Sequence, residues 1–139
     1  MGVVGAVRRS EAATSVRLPF SPASVRTIRD RLTTDLEARE LPAESVDDAR
    51  IVLSELVANA LRHARPLPED TLCASWHVRE NGMVVSVTDG GSSTAPHVQR
   101  TSELSDGGRG LAIVDVLAHR WWMESDASQS SVFAEIAWH

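Results

Sequence analysis

The chain has 139 residues, a length that fits one domain, and with 42% hydrophobic and 24% charged residues it can bury a core rather than remain disordered. A formal charge of −5 argues against a general nucleic-acid binder, and a single cysteine, Cys73, excludes an internal disulfide framework. All 14 basic residues are arginine, which excludes a Walker A lysine, the strand lysine of eukaryotic-type protein kinases and any Schiff-base chemistry.

In chain order, residues 1–13 carry no sustained period and read as a flexible tail ahead of a domain over 14–139. The segment Met1–Arg9 lacks the pattern of a signal peptide, and no apolar run approaches the roughly 18 residues of a membrane span. The expectation is a cytoplasmic domain that contacts neither membrane nor nucleic acid. Val16, Leu18 and Phe20 alternate, predicting a strand over 14–20, and Pro19 points to a sheet edge. Ser21-Pro22 then reads as a helix start, and Val25, Ile28, Leu32 and Leu36 recur at helical spacing to near Arg39. Ser45-x-x-Asp48 resembles a capping box ahead of a long helix to about His63.

The second half reads mainly as strands. Leu72, Ala74, Trp76 and Val78 alternate, Asn81-Gly82 signals a hairpin, and Met83, Val85 and Val87 alternate after it. Residues 90–108 are rich in Gly, Ser, Thr and Pro and predict a mobile loop. A helix follows from near Gly110 through Ala118, then two strands over 120–124 and 131–138. Trp121 and Trp122 are adjacent on the first of these, so they face opposite sides. The order β-α-α-β-β-loop-α-β-β predicts an α+β fold, a mostly antiparallel sheet with helices on one face.

Three stretches carry potential chemistry. On the long helix, Val46, Ala49, Leu53, Leu56, Val57 and Ala60 form a wide apolar face, while Asp48, Glu55, Asn59 and Arg62 form a narrow stripe flanked by Ile51 and Val52. Such a stripe is either a solvated face or a carboxylate and an amide aimed into a pocket. In the pocket reading, Asn59 offers an oxygen to a hard cation and Glu55 accepts a proton from a hydroxyl. His63 reads as a helix-end residue. Asp89 ends a strand on the same face as Val85 and Val87, where a buried carboxylate needs a donor such as a ligand amine; the bland alternative for Asp89-Gly90-Gly91 is an ordinary turn. Gly107-Gly108-Arg109-Gly110-Leu111 opens a helix, and is either a hinge or a cradle of N–H groups for anions.

Taken in order, Glu-Leu-Val-x-Asn-Ala-x-x-His over Glu55–His63, Asp-x-Gly at Asp89–Gly91 and Gly-Gly-Arg-Gly-Leu at Gly107–Leu111 resemble the N, first glycine and second glycine boxes of the GHKL ATPases. Those proteins share the Bergerat fold with histidine kinases. The short chain and the Glu55/Asn59 pair look most like the anti-sigma-factor serine kinases of bacterial partner switching. The resemblance runs from about Ser15 to Trp138.

It implies a two-layer sandwich with a mixed, mostly antiparallel sheet. It also implies ATP and Mg²⁺ as ligands, with Asn59 on the metal, Glu55 as catalytic base, and Asp89 on the adenine amino group with Gly91 as its companion. Gly108, Arg109, Gly110 and Leu111 would contact phosphate, residues 92–108 would form a lid, and Ser131 would supply a hydroxyl near the adenine. Ser93 and Gln129 depart from the pattern, each standing where the family has a glycine. The function implied is a protein-serine kinase that phosphorylates an anti-anti-sigma partner and sequesters a sigma factor, as a homodimer. Two rivals are a non-catalytic regulatory module of the same fold and a detached histidine-kinase catalytic domain.

Overall fold

The computed structural model describes residues 12–91, 98–100 and 111–138. The element order is β1 (Ala12–Pro19), α1 (Ala23–Ala38), α2 (Ala43–His63), β2 (Thr71–Val78), β3 (Gly82–Asp89), β4 (Val98–Arg100), α3 (Ala112–Leu117), β5 (Arg120–Ser125) and β6 (Ser130–Ala137). The strands form one sheet in the order β1-β2-β3-β6-β5-β4. Its two layers make the α+β sandwich predicted for the chain. The mostly antiparallel character expected of the sheet holds, and every pairing among the described residues is antiparallel. β1 is an edge strand, consistent with Pro19, whose missing N–H can face away from the sheet there but would cost a ladder bond in a central strand flanked on both sides.

Alternation sets which face of the sheet is covered. Leu72, Ala74, Trp76 and Val78 of β2, Met83, Val85 and Val87 of β3, and Val132, Ala134 and Ile136 of β6 are all buried. They meet Ile28, Leu32 and Leu36 of α1 and Val46, Ala49, Leu53, Leu56, Val57 and Ala60 of α2 in one cluster. Each fully buried Val or Leu contributes roughly 1.5–3 kcal/mol, so this cluster is the main force holding helices to sheet. A polar pin supplements it: Trp76 Nε1 donates to Asp35 Oδ2 at 2.8 Å, which also accepts from Arg39 Nε at 3.2 Å. On the opposite face, Trp122 stacks on Phe133 with ring centroids 5.3 Å apart, and Arg120 lies over the Trp122 ring. Trp121 turns inward and is buried.

Three local expectations change. Ser45 is not the N-cap: α2 starts at Ala43, just after Pro42, which has an extended ψ of 135°. Proline itself sets this boundary, since it fixes φ and has no N–H to leave unpaired. Ser45 therefore lies inside the first turn, and its hydroxyl reaches the Ala137 carbonyl of β6 at 3.5 Å. The loop expected over 90–108 contains a strand, β4, paired with β5 from Val98↔Glu124 to Arg100↔Trp122. Three residues are too few for alternation to be read in a Gly/Ser/Pro-rich sequence. β1 begins at Ala12, which pairs with Val78, so the strand extends two residues into the stretch assigned to the tail. The rest of the tail and of the expected lid lies outside the described residues.

Candidate functional site

Two elements meet to form the site. α2 carries Glu55 and Asn59 one turn apart, and β3 delivers Asp89 at its C-terminal end, on the helix-covered face. The segment after α2 ties them together. Gly90 N–H donates to the Arg65 carbonyl at 2.7 Å, and Arg65 N–H donates to the Gly91 carbonyl at 2.8 Å. This reciprocal pair fixes the Asp89 turn against the end of the helix that bears Asn59. Gly90 permits the contact, because a Cβ there would strike the Pro66 carbonyl oxygen. Gly91 serves differently: its φ of +87° is a left-handed conformation that L side chains rarely adopt.

The stripe on α2 is graded rather than uniformly solvated. Asn59 is only 9% exposed, Asp48 and Glu55 are half-buried, and Arg62 is exposed. Among the described residues, Asn59 Oδ1 is a buried oxygen with no hydrogen-bond partner. Leaving such an acceptor unsatisfied costs about 1–3 kcal/mol, which a solvated face would never incur. The amide oxygen is a hard donor of the kind Mg²⁺ takes, so the residue fits that cation. His63 sits exposed in the last turn of α2, as its position in the sequence predicted.

Asp89 is 6% exposed, and its Oδ1 accepts the Gly91 N–H at 2.7 Å. Burial pushes its pKa up to about 6, against the smaller opposing effect of the Gly91 N–H. A buried carboxylate with one neutral donor retains acceptor capacity. It fits the exocyclic amine of a purine, which brings donors without adding a charge.

The two serines at the start of β6 face opposite sides of the sheet. Ser131 pairs with Thr88, and the two hydroxyls lie 2.7 Å apart on the face away from the helices. Ser130 pairs with Asp89 and is buried on the same face as the carboxylate. The signal was in the alternation: Ser130 shares parity with Val132, Ala134 and Ile136, all inward-facing. Leu111 stands at the N-cap position of α3 with its side chain buried in the core, so its side chain serves packing and its backbone is what it can offer a ligand. Gly108, Arg109, Gly110 and Ser93 lie outside the described residues. Gly90 was legible as a place of close backbone approach beside Asp89, and what approaches it is the Pro66 carbonyl; Arg65 and Pro66 themselves carry no residue-type signature for that contact.

The histidine kinase-like ATPase domain family matches residues 18–133, from β1 into β6. The chain belongs to that family. The match takes in α2, the Asp89 turn, β5 and the start of β6, so the site residues just described lie within the matched segment. No curated protein matched the chain. Membership in this family implies an ATP-binding, ATP-using domain, and the buried carboxylate and orphaned amide are chemically suited to the two ends of a magnesium nucleotide. No helix among the described residues is long and apolar enough to cross a membrane.

Proposed function

We propose that the chain is an ATP-dependent protein-serine kinase that phosphorylates an anti-anti-sigma partner and sequesters a sigma factor, acting as a cytoplasmic homodimer. The observation that carries this reading is the pairing on α2 of half-buried Glu55 with the orphaned Asn59 oxygen one turn away. A purely structural helix would have no use for an unsatisfied amide beside a carboxylate. Asp89 would hold the adenine amine, with Ser130 beside it in register. Asn59 Oδ1 would hold Mg²⁺ together with the phosphates; the cation, when bound, neutralises charge on the transferring phosphoryl group.

Glu55 would accept the proton from the attacking serine hydroxyl, raising the nucleophilicity of its oxygen as the new O–P bond forms and the β–γ bond breaks. Gly108, Arg109, Gly110 and the Leu111 N–H would stabilise the phosphoryl oxygens. Trapping one partner while phosphorylating another makes a switch whose output follows the relative strength of the two complexes.

The experiment is calorimetric titration with ATP and ADP, with and without Mg²⁺, followed by transfer to an anti-anti-sigma substrate. Magnesium-dependent binding with an acid-stable phosphoserine product supports the reading. Binding without transfer would make the chain a non-catalytic regulatory module, and an acid-labile phosphohistidine product would make it a histidine-kinase catalytic domain.

A further inference from the structure

Asp89, Ser130 and Ser125 form one row across three strands. Asp89 pairs with Ser130 between β3 and β6, and Ser130 pairs with Ser125 between β6 and β5. Directly opposed residues on one face have Cβ atoms about 5 Å apart, so the three side chains are successive neighbours under the helices. The Ser125 and Ser130 hydroxyl oxygens lie 2.9 Å apart. The tight turn that joins β5 to β6 holds this register. Asp126 Oδ1 accepts from Ser128 N at 2.8 Å, Ser128 Oγ at 2.9 Å and Gln129 N at 2.9 Å, and Asp126 N–H donates to the Gln129 carbonyl. Nothing in the mechanism above uses Ser125.

We propose that Ser125 is a positioning residue for base recognition: its hydroxyl donates to Ser130 Oγ, which leaves the Ser130 proton for the ring nitrogen next to the amine held by Asp89. This rests on the nucleotide reading given above. A hydroxyl has one proton and two lone pairs, so only one of the two serines can donate across the 2.9 Å gap. If Ser130 donated to Ser125, it would present lone pairs alone to the ligand. The negative charge of the neighbouring carboxylate favours the other orientation, with the Ser130 proton on the Asp89 side. An acceptor carboxylate beside a hydroxyl donor is the complement of adenine's edge, where an amine donor adjoins the N1 acceptor. Guanine presents the reverse, a carbonyl acceptor beside an N–H donor.

The test compares binding of Mg-ADP and of 1-deaza-ADP, in which a C–H replaces the N1 acceptor, by calorimetry. Ser125→Ala is expected to weaken ADP about fivefold, the effect of one neutral hydrogen bond, and to leave 1-deaza-ADP unchanged. Ser125→Thr, which keeps the hydroxyl, restores ADP affinity. In a Ser130→Ala background, Ser125→Ala has no further effect, because Ser125 acts only through Ser130. A structural role alone would weaken both ligands equally and add to Ser130→Ala; either result overturns the proposal. So does equal affinity of the unaltered protein for ADP and 1-deaza-ADP. Absence of any ADP binding would instead overturn the nucleotide reading itself, and this inference with it.

Discussion

Replacing Asp89 by Asn should stabilise the free protein at neutral pH while disabling it. The Asp89 carboxyl has a pKa near 6 in the fold, against an ordinary value of 3.8, because burial strips water from the charged form. A folded-state pKa above the unfolded one gives stability that is fully present below the unfolded value and is lost as pH rises through the folded value. Above pH 7 the native state therefore holds a buried anion, at a cost of about 3 kcal/mol relative to the neutral acid. Asparagine is neutral at every pH, and its oxygen can still accept the Gly91 N–H. For a chain of this length, 3 kcal/mol corresponds to an upper limit of about 10 °C in Tm. Thermal unfolding of both proteins between pH 4 and 8 reads the effect: Asp89→Asn should melt well above the parent at pH 8, and the two should converge by about pH 4. The same substitution should abolish measurable ATP binding, since an amide NH₂ then faces the adenine amine. A variant equally destabilised at pH 4 and pH 8 would refute the argument, because the carboxylate would then carry no burial cost.

Other sites give sharper single outcomes. Glu55→Ala should leave ATP affinity nearly intact and slow phosphoryl transfer about a hundredfold or more; transfer that survives in a single-turnover assay would remove Glu55 from the role of base. Asn59→Ala should remove the magnesium dependence of nucleotide binding, yet change the Tm of the free protein little, since loss of packing is offset by loss of an unsatisfied oxygen worth about 1–3 kcal/mol. Gly90→Ala should destabilise by about 3 kcal/mol or more in chemical denaturation, because backbone must move where a methyl group meets the Pro66 carbonyl. The affinity of the parent protein for ADP should fall about tenfold from pH 7 to pH 5 as Asp89 protonates through its pKa of about 6. In that last case a calorimetric profile as flat as that of a neutral site would count against an ionised Asp89 in recognition.

Sequence periodicity made most of the architecture readable, because the core is built from uninterrupted alternation in β2, β3 and β6 and from helical spacing in α1 and α2. These patterns alone place Asp89 on the inner face and Asn59 one turn from Glu55. Where reading failed, the determinant was non-local. β4 exists because β5 offers a free edge, not because Val98-Gln99-Arg100 has a strand pattern of its own. Ser45 imitates a cap, but Pro42 three residues earlier had already started the helix. The choice of Ser131 over Ser130 came from matching a motif position by residue type, where a count of parity from Val132 would have given the inner hydroxyl. The clamp between Arg65 and the Asp89 turn joins residues more than twenty positions apart, and only the fold brings them together.

The free protein is thus unfinished at two points on either side of that clamp. Asn59 keeps an oxygen without a donor at one, and Asp89 keeps a poorly solvated carboxylate at the other. Neither defect helps the fold, and each is of a kind that a well-packed apolar or fully paired core avoids. Under the function proposed above, they would be matched by opposite ends of one ligand: a cation that takes the amide oxygen and a base amine that donates to the carboxylate. Because Gly90 and Arg65 bind the two sites into one rigid unit, their separation is set before ligand arrives, and little ordering remains to be done on binding. On that reading, stability withheld from the free state would reappear as affinity, which is why Asp89→Asn should gain the one as it loses the other.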